Sequence, residues 1–393
     1  MKINNYIFAF ILSLWVFVSF SQEKPKNWSF TGYLNNMQSV MMDDIDGIWV
    51  NDNLIHNRMN FTWYASNSIN ISIQARNRIM MGDRIRFDTL GLYAATISAD
   101  RGWLDLSENW IEKKSVLINT ALDRAWIDYE KGNLNIKLGR QRINWGQTLI
   151  WNPNDLFNNY SFFDFDYPEK PGSDALRIQY YTGMTSSVEL AAKINENEKI
   201  TAATLIRLNK WNYDMQILAG VLDEEDAAIG LGWSGAVKNA SFRGEMSYFH
   251  PIENIADTSG LFFISLSTDY TFSNSLFLQL EAFYGQMPSN QQVFSYTQYY
   301  NAPLSVKNMA FTEYNIFAQM GYPVSPLINT NISAMYFPDL KGYFIGPSID
   351  YSVSNSMDLS LFVQAFSGEF NNTAGISERQ NFTMGFLRIR WSY

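Results

Sequence analysis

From Gly385 to the end of the chain the side chains sort into two rows. Gly385, Leu387, Ile389, Trp391 and Tyr393 make one; Phe386, Arg388, Arg390 and Ser392 make the other. A period of two is the mark of a β-strand. In a soluble sheet the apolar row would turn inward and the arginines outward. In a transmembrane barrel the polarity inverts, with the apolar row on lipid and the arginines lining a wet lumen. The same alternation predicts strands at 28–38, 57–66, 68–80, 120–129, 134–142, 174–182, 186–195, 199–208, 211–221, 226–236, 239–249, 260–272, 275–286, 311–321, 326–337, 341–353, 356–368 and 379–393. That makes eighteen, an even number, as an up-and-down barrel with both termini on one side requires. After the first 21 residues no stretch reaches about 18 uninterrupted apolar residues, so a membrane crossing falls to strands.

The connections sort independently of the strands. Every second one is tight, near Ser66-Asn67, Lys131-Gly132-Asn133, Gly183 to Thr185, Asn209-Lys210, Lys238, Ser273-Asn274, Pro323 to Ser325 and Ser354-Asn355. The other set, with 39–56, 81–119, 143–173, 287–310 and 369–378, contains all the long ones. A barrel with short periplasmic turns and long extracellular loops gives this pattern; tandem soluble sandwiches have no reason to. The fold class expected is an all-β transmembrane antiparallel barrel of about eighteen strands.

Composition agrees and excludes other classes. Charged residues are 17% and aromatics 16%, with 22 Tyr and 12 Trp, yet mean hydropathy is slightly negative at -0.18. Helical spans would raise that mean; strands apolar on one side do not. A formal charge of -9 argues against a generic nucleic-acid binder, and the lack of cysteine excludes disulfides, thiol chemistry and lipoprotein attachment. Residues 1–21 read as a signal peptide: Lys2, an apolar core from Tyr6 to Val18, then Ser19-Phe20-Ser21 before Gln22. The remainder, 22–393, is expected to be one barrel domain in the outer membrane of a Gram-negative bacterium.

Alternation also assigns the lumen. Ile69, Ile71, Ile73 and Ala75 fall outside while Asn70, Ser72, Gln74, Arg76 and Arg78 fall inside; Arg58, Arg124, Lys137 and Arg177 point in by the same rule. Closing the barrel pairs the last strand with the first, so Arg388 and Arg390 join this basic wall. The remaining strands supply inward carboxylates, Glu189, Asp214, Glu245, Asp269, Glu281, Glu313, Asp350 and Asp358 among them, with Arg207 and Arg243 as exceptions. A basic wall facing an acidic one sets a transverse field that selects among solutes; the bland reading is that these charges pair with one another.

Within 134–173 strict alternation sends Arg140 and Arg142 toward lipid, at about 2–4 kcal/mol each at midplane. Either Gly139 makes a bulge that flips the register, which is the expectation here, or the strand has already passed the membrane rim. The segment that follows, with Trp145, Trp151, Asn152, Asp155, Tyr160 and Phe163, is too long and aromatic for a free surface loop. It is expected to fold inward and narrow the pore; packing on the barrel rim is the alternative.

The run Gly139-Arg140-Gln141 with Trp145-Gly146, followed by Asn152-Pro153-Asn154-Asp155, resembles porin-like outer-membrane barrels of Gram-negative bacteria, including relatives of the alginate-export channels. The aromatic-ended last strand resembles their C-terminal targeting strand, which implies handling by the barrel-assembly machinery. The resemblance implies passive passage of a small hydrophilic or anionic solute, and it bears on Arg140, Trp145, Asn152 and Asp155.

Catalysis has little to stand on. The two histidines, His56 in an expected connection and His250 before Pro251, form no HExxH or nucleophile–base pattern. The run Asp223 to Asp226 could hold a divalent cation but reads first as a solvated loop at the extracellular rim, and Asp43, Asp44 and Asp46 lack the Glu at the position a calcium loop requires. The expectation is a non-enzymatic channel, without cofactor or metal, whose partners are outer-membrane lipid and small polar solutes rather than nucleic acid. The competing readings are a plugged barrel that binds glycan or capsule through Tyr296, Tyr299 and Tyr300 and the aromatic 160–167 segment, and an exporter of an anionic polysaccharide.

Overall fold

A computed structural model describes residues 27–44, 46–158, 169–287, 305–371 and 376–393. The expected signal peptide, Tyr160, Phe163, Tyr296, Tyr299 and Tyr300 lie outside them. Strands β1 (Trp28–Met42), β2 (Val50–Ser66), β3 (Ile69–Gly82), β4 (Ser107–Lys113), β5 (Val116–Lys131), β6 (Leu134–Gln141) and β7 (Ser173–Tyr181) form the first part of the wall. They are followed by β8 (Ser187–Ile194), β9 (Ile200–Lys210), β10 (Tyr213–Leu222), β11 (Asp226–Val237), β12 (Ala240–Pro251), β13 (Leu261–Thr271) and β14 (Phe277–Gly285). The last are β15 (Tyr314–Ser325), β16 (Ile328–Phe337), β17 (Gly342–Ser354), β18 (Met357–Asn371) and β19 (Ser377–Ser392).

Each strand pairs antiparallel with its neighbour, except that β3 pairs with β5, and β1 closes on β19 from Tyr33 opposite Ser392 to Met42 opposite Thr383. Among the described residues the result is a closed ring of eighteen strands, its seam sealed by β1 on β19, with β4 lying outside that ring on β5. Tyr393 fastens the seam: its backbone exchanges hydrogen bonds with Gly32, and its hydroxyl donates to the Arg58 carbonyl. Among the described residues no helix is long and apolar enough to cross a membrane.

The inversion of polarity holds around the wall. Phe61, Trp63, Ile73, Ile127, Leu138 and Leu280 are exposed on the outside, as are Leu387, Ile389 and Trp391 of the last strand. Arg58, Gln216, Glu245 and Glu281 are buried inside. All eight connections at the end holding the termini are short, none longer than the five residues 182–186 or 272–276. Those at the opposite, loop end include the long 83–115 and 142–172.

Three details depart from the sequence expectation. Strands at the loop end run longer than alternation suggested, so His56 lies within β2, and the connection read as 39–56 shrinks to 43–49. Strand β4 is additional; it pairs with β5 above the point where β6 ends, filling the gap left when the chain turns inward after Gln141. The bulge expected at Gly139 is absent, since the ladder runs unbroken from Lys131 opposite Leu134 to Ala125 opposite Arg140. Gly139 is required for another reason: its φ is 113°, and a Cβ there would lie 2.2 Å from the Ala125 carbonyl oxygen.

Candidate functional site

After Gln141 the chain leaves the wall and enters the barrel, as expected. Ile143, Trp145, Trp151, Leu156 and Phe157 are all buried, in one apolar cluster with Phe249, Phe263 and Phe283 of the wall. Trp145 meets Phe157 edge-on at 4.8 Å between centroids, and Trp151 stacks on Phe283 at 5.6 Å. Burying these rings draws the loop inward, but it also strips water from loop backbone groups, which must find partners.

Two carboxylates from the far wall supply them. Glu245 of β12 accepts from the backbone N–H groups of Gln147, Thr148 (2.6 Å) and Asn154 (3.0 Å) and from the Thr148 hydroxyl (2.9 Å). Glu281 of β14 accepts from the N–H groups of Leu149 (3.1 Å), Ile150 (3.1 Å) and Trp151 (2.8 Å) and from the Ser265 hydroxyl (3.1 Å). Glu189 of β8 takes the Trp145 indole N–H at 2.6 Å and pairs with Arg177 and Arg207. Glu189, Glu245 and Glu281 are therefore where alternation placed them, but they hold a loop instead of facing open water, and Glu313, expected in a strand, precedes β15 in its connection. Charge-assisted bonds of this kind are roughly twice as strong as neutral ones.

The Asn-Pro-Asn-Asp run completes the anchorage. Asn152 is buried; Ser247 donates to the Pro153 carbonyl at 2.9 Å, and Asn154 donates to the Leu231 carbonyl at 2.9 Å. Asp155 is buried beside Arg142 and Glu245, and loss of water raises its pKa to about 8 against the pull of the Arg142 charge.

The opposite wall carries an arginine ladder. Backbone pairing sets Asp358, Arg390, Asn35, His56, Arg78 and Asn119 in one cross-strand row on β18, β19, β1, β2, β3 and β5. One step toward the turn end lies the row of Ser392, Tyr33, Arg58, Arg76 and Ala121; one step toward the loop end, Arg388 faces Ser360 and Met37. Arg124 lies opposite Gln74, next along from Arg76. Thus Arg58, Arg76, Arg78, Arg124, Arg388 and Arg390 share one stretch of inner wall, with strands about 4.8 Å apart.

Several of these cations are held in place. Arg58 pairs with Asp123 at 2.6 Å and donates to Gln74 and Asn60. Asp123 is the extra residue of a bulge in β5, where Leu122 is opposite Ala75 and Arg124 opposite Gln74. The bulge turns an otherwise outward side chain onto Arg58. Arg78 bonds Asn119, Arg388 donates to Ser360 at 3.3 Å, and Arg390 lies 4.0 Å over the Tyr33 ring. Lys137 and Arg177 also point in, but they belong to local pairs with Asp128 and Glu189.

Arg140 is not in the lumen. The unbroken ladder leaves it on the outer face with Leu138, at the level where the 100–106 segment crosses over β6. There it makes a two-point pair with Asp174 at 2.7 Å each, bonds Asp100 at 2.5 Å and reaches the Leu104 carbonyl. This corrects the bulge reading: Arg140 is a buried structural cation past the strand's spanning part. Arg142, beyond the end of β6, belongs to the loop.

The loop's far end returns to the ladder. The Arg124 guanidinium holds the carbonyls of Glu169 (2.8 Å) and Lys170 (2.7 Å), and the Tyr33 hydroxyl donates to the Glu169 carboxylate at 3.0 Å. The 142–172 connection is therefore anchored on both sides of the lumen. Sequence alternation missed Asp123, Tyr33 and Glu169. For Asp123 a signal existed: inward residues change from odd (Leu117, Asn119, Ala121) to even (Arg124, Trp126, Asp128) across it.

No model of a known protein family matches the sequence, and no curated protein does. Solved structures do. OccAB4 of Acinetobacter baumannii superposes with a TM-score of 0.58 at 11% identity, covering 94% of this chain and 100% of that one. The chain shares that barrel fold. OprD of Pseudomonas aeruginosa gives 0.55 at 10% identity over 93% of this chain and 95% of its own, and OccK11 (OpdR) of the same organism 0.55 at 8% over 93% and 96%. The chain is thus an eighteen-stranded barrel with the architecture of Gram-negative outer-membrane porins, at an identity that speaks to fold alone.

Proposed function

We propose that the protein is an outer-membrane diffusion channel for small polar solutes that prefers anions. The observation that carries this reading is the ladder of Arg58, Arg76, Arg78, Arg124, Arg388 and Arg390 on one inner wall, facing a loop clamped to the other. Six guanidiniums share that wall with the carboxylates of Asp123, Asp358 and Glu169. Two unit charges about 5 Å apart repel by about 0.8 kcal/mol in water and several-fold more at lower effective dielectric, so the surplus favours water and mobile anions beside it. The exposed apolar outer wall takes lipid, and the aromatic-ended last strand suits recognition by the barrel-assembly machinery. The test is a reversal potential across a planar bilayer under a salt gradient: mild anion preference supports the reading and clear cation selectivity refutes it.

A plugged barrel that binds a surface glycan is the second reading. It is favoured by the apolar cluster that packs the 143–157 and 305–311 segments against the inner wall. Such a barrel would be silent in the same bilayer.

A further inference from the structure

The contact of Glu169 with the ladder has the chemistry of a bound solute. Its carboxylate accepts from the Tyr33 hydroxyl at 3.0 Å and lies 3.8 Å from the Arg58 Nε, while Arg390 stacks on the Tyr33 ring. Asp123 holds the same guanidinium very differently. Its pair with Arg58 is 2.6 Å long and its side chain only 7% exposed; the Glu169 pair is long and its side chain 24% exposed. One carboxylate is built into the wall through the β5 bulge. The other is tethered at a loop end whose backbone is fixed through the carbonyls held by Arg124, while among the described residues its side chain is held only by the Tyr33 hydroxyl and the long contact to Arg58.

We propose that Glu169 is a specificity-determining residue: a tethered carboxylate that occupies the Tyr33–Arg58 step of the ladder and must be displaced by a small organic carboxylate passing through. This deepens the channel reading above and rests on it. A tethered competitor acts at an effective concentration in the millimolar range, so it weakens capture of free carboxylates at that step and speeds their release. It also sets a threshold: chloride, which needs no two-point carboxylate contact, passes with Glu169 in place.

The test uses the full-length protein in planar bilayers, with benzoate titrated into chloride and the half-blocking concentration read from the current. Glu169→Gln keeps the side chain's size and removes its charge; Glu169→Asp keeps the charge but shortens its reach by one methylene. Occupancy predicts that both variants lower the half-blocking benzoate concentration, by roughly tenfold for Glu169→Gln if the tether acts at its usual effective concentration. If Glu169→Gln shifts the reversal potential while Glu169→Asp blocks like wild type, Glu169 acts by charge alone and the inference is overturned. It is overturned equally if neither variant changes block in a wild-type channel that still prefers anions. Cation selectivity in the wild type would instead remove the channel reading on which it rests.

Discussion

Replacing Glu245 by alanine should release the inward loop from the far wall while leaving the barrel closed. The carboxylate is fully buried and accepts the N–H groups of Gln147, Thr148 and Asn154 as well as the Thr148 hydroxyl. Each buried backbone donor left without a partner costs about 1–3 kcal/mol, so three of them sum to about 3–9 kcal/mol. Water in the lumen can reach the loop once it loosens, which favours the lower end, about 3 kcal/mol. At 1.4 kcal/mol per tenfold, that is roughly a hundredfold loss of local protection. Amide hydrogen exchange in detergent reads it directly: Thr148 and Asn154 should exchange about a hundredfold faster in Glu245→Ala, with the β12–β13 ladder unchanged. Single-channel current should rise and become noisier as the loop leaves the lumen. Glu245→Gln, which loses the charge but keeps one carbonyl acceptor, should fall between. If Glu245→Ala shows wild-type exchange at these amides and wild-type conductance, the carboxylate clamp does not hold the loop, and the account of the constriction is wrong.

Three further outcomes are expected. Arg140→Ala leaves the largely covered Asp100 and Asp174 without their cation, costs about 3 kcal/mol, the lower end for a buried pair, and lowers the heat-denaturation temperature of the folded barrel without moving the reversal potential; a selectivity change with unchanged stability would put Arg140 in the lumen after all. Asp155 lies in the loop, and its docked-state pKa of about 8 exceeds the ordinary value of 3.8. The docked loop therefore binds the extra proton, and its stability falls as pH rises from about 4 to 8. Between pH 6 and 9 conductance should increase, and Asp155→Asn should flatten that response; an identical pH response in the variant would exclude Asp155 as its source. An epitope inserted after Ala256, at the loop end, should be labelled on intact cells and one after Asn274 should not, with the opposite labelling reversing the orientation.

The strands were legible because one property, alternation, encodes both their existence and which row meets lipid. It also placed Arg76, Arg388 and Glu281 on the inner face without any knowledge of their partners. Arg140 shows the limit. Alternation put it outside correctly, but the aspartates that make that position tolerable sit 40 and 34 residues away, in a crossing segment and a neighbouring strand. Without them a flipped register looked cheaper than a buried outer cation. The clamp was hidden for a different reason. Glu245 and Glu281 bind backbone N–H groups, which every residue but proline carries, so nothing in 147–154 announces that it will receive two carboxylates. The aromatic content of the loop gave its inward direction; the chemistry that fixes it came from the wall.

The natural chain has no cysteine, so single cysteines can be placed and modified without background. The most direct measurement is the current through Arg76→Cys and Arg140→Cys channels during exposure to a small anionic thiol reagent. Arg76→Cys, on the inner ladder, should react and lose current and anion preference, while current through Arg140→Cys, beneath the outer crossing segment, should not change. An Arg140→Cys channel that responds while Arg76→Cys stays inert would mean that the ladder does not line the water path.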